Sequence, residues 1–120
     1  MMNPYQQYKQ QSITTMSPAQ MLIALYDKAE QETNKAIYYI DNNQTEKASN
    51  SIMKVQDIVA YLESSLKMQY EIAENLSALY QFFFDQLLKA NVTKDTEILK
   101  SLLPFFADLK DAFTQINRKG

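Results

Sequence analysis

The chain has no cysteine, no histidine and no tryptophan, and its only glycine is the last residue, Gly120. Without cysteine there is no disulfide scaffold. Without histidine or cysteine, the common zinc sites, haem ligation through either residue, Glu-x-x-His di-iron sites and Ser-His-Asp or Cys-His catalysis are all excluded. With no internal glycine there is no phosphate-cradling loop. Prolines stand only at Pro4, Pro18 and Pro104. Sheet proteins of this size need Gly, Pro, Asn and Asp clusters at each turn, so their near absence points to an all-α fold. The net charge of −2 is spread without a basic run, which argues against nucleic acid and anionic membrane as partners. No apolar stretch approaches the ~20 residues of a membrane span, and Met1 to Gln11 lacks the pattern of a signal peptide. A cytoplasmic domain without membrane insertion is expected. The carboxylates close in sequence, Glu71 with Glu74 and Asp108 with Asp111, read as solvated helix faces, so no enzyme activity, cofactor or metal is expected.

What remains is apolar periodicity. Hydrophobic residues make up 46% of 120, enough for one core in one domain. Ser17 reads as an N-cap, with Pro18 in the first helical position and Gln20 as capping-box partner. From there Leu22, Leu25, Ala29, Thr33, Ala36 and Ile40 keep helical rhythm up to Asp41-Asn42-Asn43. A second helix starts near Thr45 or Glu46, with Ala48, Ile52, Val55, Val59, Leu62 and Leu66 on its seam. Ile58 and Tyr61 widen that apolar face. The turn between Leu66 and Ile72 has no Gly or Pro; compactness demands it, since one helix from 46 to 90 would be ~65 Å long. If it fails to form, helices exchange between chains in a swapped dimer.

A third helix carries Leu76, Leu79, Phe83, Leu87 and Ala90 and stops near Asn91. A fourth is capped by Thr93 or Asp95 and carries Leu99, Leu102, Phe106, Leu109, Phe113 and Ile116. Pro104 lies inside it and predicts a kink or a split near Leu103. The expectation is an antiparallel up-down four-helix bundle over 17–120, with a proline-kinked fourth helix and an N-terminal arm over 1–16. The arm's Tyr5 and Tyr8 are aromatic anchors in a polar tail.

The run Phe82-Phe83-Phe84 exceeds what one core needs. Successive side chains on a helix are ~100° apart, so three consecutive phenylalanines cannot share one interior. Burying one is worth ~1.5–3 kcal/mol, and leaving two exposed to no purpose invites aggregation. The surplus predicts either a groove for an apolar partner segment or, as the alternative, a homodimeric structural bundle whose subunit interface is that face.

Several strings resemble the flagellin export chaperone family of FliS-like proteins. They are Asn3-Pro4-Tyr5-x-x-Tyr8, Ser17-Pro18 followed by Met21-Leu22 and Leu25-Tyr26, and Lys54-x-Gln56-x-Ile58-Val59. Further along come Leu76-x-x-Leu79-Tyr80-x-Phe82, Leu87-x-x-Ala90-Asn91 with Asp95, and Phe106-x-x-Leu109-x-x-Ala112-Phe113. Where members often have glycine, this chain has Lys28 and Met68-Gln69-Tyr70, and Phe113 replaces a usual tryptophan. The resemblance implies a cytoplasmic bundle that binds the disordered C-terminal segment of flagellin. Such binding prevents early polymerisation and holds the client for the flagellar type III export apparatus. It also implies an arm that covers part of the site, with Tyr5 and Tyr8 matching the arm tyrosines. The groove candidates are Ile52, Val55, Gln56, Val59 and Leu62 on the second helix and Tyr80, Phe83 and Leu87 on the third. The free protein is expected to be a monomer or a weak or swapped dimer.

Overall fold

Ser17 fixes where the first helix begins. Its Oγ accepts from the Gln20 backbone N–H at 3.1 Å, and Gln20 Oε1 accepts from the Ser17 N–H at 2.8 Å, closing the capping box. The computed structural model describes residues 16–119; Tyr5, Tyr8 and most of the expected arm lie outside the described residues. Helix α1 spans Pro18–Asp41, α2 Thr45–Ser64, α3 Glu71–Thr93 and α4 Thr96–Lys119, and no strand occurs among the described residues.

The turns follow local chemistry. Between α1 and α2, Asn43 takes φ 58, a left-handed conformation that asparagine tolerates better than most residues. Between α2 and α3 the expected break is present, with the Tyr70 N–H donating to Lys67 O at 3.1 Å. At the end of α3 the structure corrects the reading of Asn91. The helix runs on to Thr93, and the left-handed residue is Lys94, φ 54. The Lys94 ammonium folds back onto Asn91, donating to its backbone carbonyl and, at 2.9 Å, to Oδ1. That tie to the last turn supports a conformation a lysine seldom adopts. Asp95 then caps α4, its Oδ1 accepting from the Glu97 N–H at 2.9 Å.

Helix α4 does not split at Leu103; it continues through Pro104. Proline removes the N–H that would reach the carbonyl four residues back, on Lys100. Both residues are exposed, so the lost bond falls on the solvent side, where water can serve the carbonyl.

The helices pack in a ring, α1 against α2 and α4, with α3 against α2 and α4; the α1/α4 interface is the most extensive and the α3/α4 interface the slightest. Neighbours are antiparallel. The start of α1 meets the end of α4 through Ser17 Oγ donating to Asn117 Oδ1 at 3.1 Å and through Tyr26 stacked on Phe113 at 5.8 Å. Lys110 Nζ completes this seam, 2.8 Å from Glu30 Oε1 and 3.3 Å from Asp27 Oδ1. The hydrogen bond to Glu30 leads the effects that raise the lysine's pKa. The end of α2 meets the start of α3 through Ser77 Oγ, which donates to Glu63 Oε1 at 2.8 Å.

The core contains the expected Leu25, Ala29, Ile52, Val55, Phe83, Leu99 and Phe106. It also takes Tyr26 and Glu32, which apolar periodicity did not single out. Glu32 is 1% exposed and sits 3.5 Å from Lys35 Nζ and 3.7 Å from Lys54 Nζ. Two lysines reaching in from the surface compensate a carboxylate that would otherwise be costly to bury.

Candidate functional site

Helix register sends the three consecutive phenylalanines of α3 to three different places. Phe83 enters the core with no exposed surface, 5.1 Å from Phe106 and edge-on to it. Phe84 turns toward α2. Phe82 turns toward α4, where it meets Phe105 at 5.8 Å in a T-shaped contact while both rings stay exposed, at 42% and 39%. One helix therefore contributes to the interior and to both of its flanks.

On the α2 flank lies a groove of about 380 Å³. Val59 and Tyr80 form its floor, Ala60 and Phe84 its apolar sides, and Glu63 and Asp85 its charged members. Glu63 is held in place by Ser77 and by Gln81 Nε2, which donates to the same Oε1 at 3.3 Å. Below the floor the Tyr80 hydroxyl is hydrogen-bonded to the hydroxyl of Tyr26. Burial pushes the Tyr80 phenol above its ordinary pKa, and the nearby Glu63 charge adds to the effect against the lowering by the Tyr26 hydrogen bond. The groove combines an apolar floor and sides with two carboxylates.

On the α4 flank, Leu87 and Ala90 of α3 and Leu99 and Leu102 of α4 are fully buried beside the connecting turn. Toward the other end, Leu76, Leu79, Leu109 and Phe113 are only half-buried, and Ile72 and Ile116 are exposed at 61% and 56%. All six continue the apolar stripes of the two helices. The α3/α4 seam is thus closed at one end and open at the end where α1 begins.

Of the residues proposed from the sequence, Val59 and Tyr80 line the groove. Ile52, Val55, Leu62, Phe83 and Leu87 lie in the core at 2% exposure or less. Gln56 is half-buried, with Nε2 enclosed and unpartnered among the described residues. Ile58, expected to widen an external apolar face, is core as well at 3%, whereas Tyr61 is half-buried. Sequence reasoning missed Ala60, Glu63, Ser64, Gln81 and Asp85. Ala60, Glu63, Gln81 and Asp85 stand one step beyond Val59, Leu62, Tyr80 and Phe84 on the apolar stripes, and Ser64 one step further, where small and polar residues line a groove without standing out. No cluster of His, Cys, Asp or Glu suited to a metal ion occurs among the described residues. Nor is any described helix long and apolar enough to cross a membrane.

A four-helix bundle with one helix apolar on both flanks and a groove beside it offers surface to a protein partner. Comparison with known proteins is specific: a sequence model of the family described as "Flagellar protein FliS" matches residues 1–120, and the chain belongs to that family. The flagellar secretion chaperone FliS of Bacillus subtilis (strain 168) is 28% identical over 113 residues, covering 94% of this chain and 85% of that protein. The flagellar secretion chaperone FliS of Salmonella typhimurium is 25% identical over 112 residues, covering 91% and 83%. A solved structure described as a flagellar chaperone from bacteria shares the fold, with TM-score 0.82 and 19% identity over 97% of this chain and 96% of that one.

Proposed function

We propose that this chain is a cytoplasmic flagellar export chaperone, which holds the disordered C-terminal segment of newly made flagellin for the type III export apparatus and so prevents premature polymerisation. The observation that carries this reading is the placement of Phe82 and Phe84 on opposite flanks of α3, beside an open seam and a groove. An apolar segment that folds as an amphipathic helix can cover such surfaces, giving up part of the contact energy to its own ordering. Family membership and the naming of the B. subtilis and S. typhimurium relatives as secretion chaperones support the same role. The module works by binding, not by catalysis.

The α1 start lies at the open end of the α3/α4 seam, since Ser17 bonds Asn117. In this reading the residues preceding it, Tyr5 and Tyr8 among them, shield apolar surface until a client arrives. Titrating the C-terminal segment of flagellin from the same organism into the protein, with detection by heat, tests the reading. One-to-one binding is expected; no binding at concentrations up to about millimolar would contradict it.

A further inference from the structure

Resting on the reading above, we infer that the client segment entering the α2/α3 groove carries a lysine or arginine beside its apolar stripe, and that Glu63 and Asp85 recognise it. The groove's only charged lining residues are these two, both acidic; among the described residues no lysine or arginine lines it.

Apart from Glu63, every buried or half-buried carboxylate among the described residues is paired. Glu32 has Lys35 and Lys54, and Asp27 and Glu30 share Lys110. Glu63 and Asp85 take part in no ion pair among the described residues. Glu63 is the more telling of the two. Its Oε1 accepts from Ser77 and Gln81, while Oε2 is enclosed and has no hydrogen-bond partner. An ionised carboxylate accepts several hydrogen bonds, and an enclosed oxygen left without a donor carries a desolvation penalty. A wholly apolar segment over the groove would deepen that penalty by stripping water from the rest of the carboxylate. A segment presenting a cation turns the same site into an attraction, strengthened because Val59, Tyr80 and Phe84 lower the local dielectric. Asp85, exposed on the next turns of α3, extends the acidic field along the groove and favours a cation arriving at its rim.

The test uses the full chain and two peptides, the flagellin C-terminal segment and the same segment with its Lys and Arg residues changed to Gln. Each is titrated into wild type, Glu63→Gln and Asp85→Asn. Glu63→Gln keeps an acceptor for Ser77, and Asp85→Asn lies on the surface, so folding is checked by circular dichroism and the second variant is informative even if the first is destabilised. The unmodified peptide should bind Glu63→Gln about tenfold and Asp85→Asn about threefold more weakly than wild type. Its affinity for wild type should fall as salt is raised. The neutralised peptide should bind all three proteins alike. Equal affinity of both peptides for wild type overturns the inference while leaving the client reading intact. So does tight, charge-independent binding that appears only after removal of residues 1–15 or on dilution, which would place the chain's own arm or a second copy in the groove. Failure of the unmodified peptide to bind any form overturns the client reading itself.

Discussion

The hydroxyls of Tyr26 and Tyr80 hydrogen-bond to each other inside the core, joining α1 to α3, two helices whose backbones are not neighbours in the ring. Each ring is almost wholly buried, and one hydroxyl donates to the other. Tyr26 also stacks on Phe113 of α4, and Tyr80 floors the α2/α3 groove. The pair therefore ties the groove to the α1/α4 seam.

This pair yields a stability prediction. Tyr80→Phe leaves the Tyr26 hydroxyl buried without a partner and should cost about 1–2 kcal/mol. The double variant Tyr26→Phe/Tyr80→Phe, which removes both hydroxyls, should lose less than the sum of the single variants. Additive losses in urea unfolding would show that the bond is not a coupled unit. The pair also sets an alkaline limit. Both phenols have pKa values raised above 10.0, first of all by burial. A raised folded-state value means stability is intact below pH 10 and falls as pH climbs above it, because the unfolded chain gives up these protons more readily. The double phenylalanine variant should lose less stability over that alkaline range than wild type does.

The phenylalanine triplet should separate fold from function. Phe83→Ala opens a cavity in the core and should cost about 3–5 kcal/mol. Phe84→Ser and Phe82→Ser should cost much less and leave the circular dichroism spectrum unchanged. Each should nonetheless weaken flagellin-segment binding by about tenfold, as truncation of aromatic anchors does. If Phe83→Ala proved as mild as its neighbours in thermal melts, the assignment of the three rings to three surfaces would be wrong.

Pro104 sits on the outer face of an unbroken helix, where it denies the Lys100 carbonyl a partner. Pro104→Ala restores that bond and should raise the melting temperature, with a gain below the ~3 kcal/mol propensity difference because the unfolded chain becomes freer. A lower melting temperature would show that the proline ring makes packing contacts that outweigh the lost hydrogen bond.

Deleting residues 1–15 should leave the four helices intact, since Ser17 and Gln20, which form the capping box of α1, both lie beyond the deletion. If the arm shields apolar surface, its removal should raise client affinity and on-rate by several-fold, because a competing intramolecular contact disappears. Unchanged affinity and rate, measured by surface plasmon resonance, would remove the arm from the mechanism.

The bundle was legible because its elements repeat apolar residues at helical spacing and are bounded by readable caps, Ser17-Pro18-x-Gln20 and Asp95 above all. The left-handed Lys94 was not, because a side chain folded back onto Asn91 creates a cap that propensity does not contain. The groove was legible only in part. Periodicity identifies which residues leave water but not whether they face an interior or a furrow between two helices. So Ile52, Val55, Leu62, Phe83 and Leu87 share the apolar stripes of Val59 and Tyr80, though only the last two line the groove. Glu63 was invisible for the opposite reason: a single carboxylate off the stripe looks like solvated surface until Ser77 and Gln81 are seen to hold it. Val59→Asp illustrates the consequence. Val59 is 1% exposed, so a charge there should unfold the chain, and Phe84→Ser is the cleaner probe of binding.

The account is tested most directly by following backbone amide shifts while unlabelled flagellin C-terminal segment is added to isotopically labelled protein. The largest changes should fall on Ala60, Ser64, Gln81 and Asp85, with Lys28, Gln31 and Lys35 on the outside of α1 nearly unmoved. Saturable binding whose shifts bypass the two flanks of α3 and gather on the outer surface of α1 would contradict it.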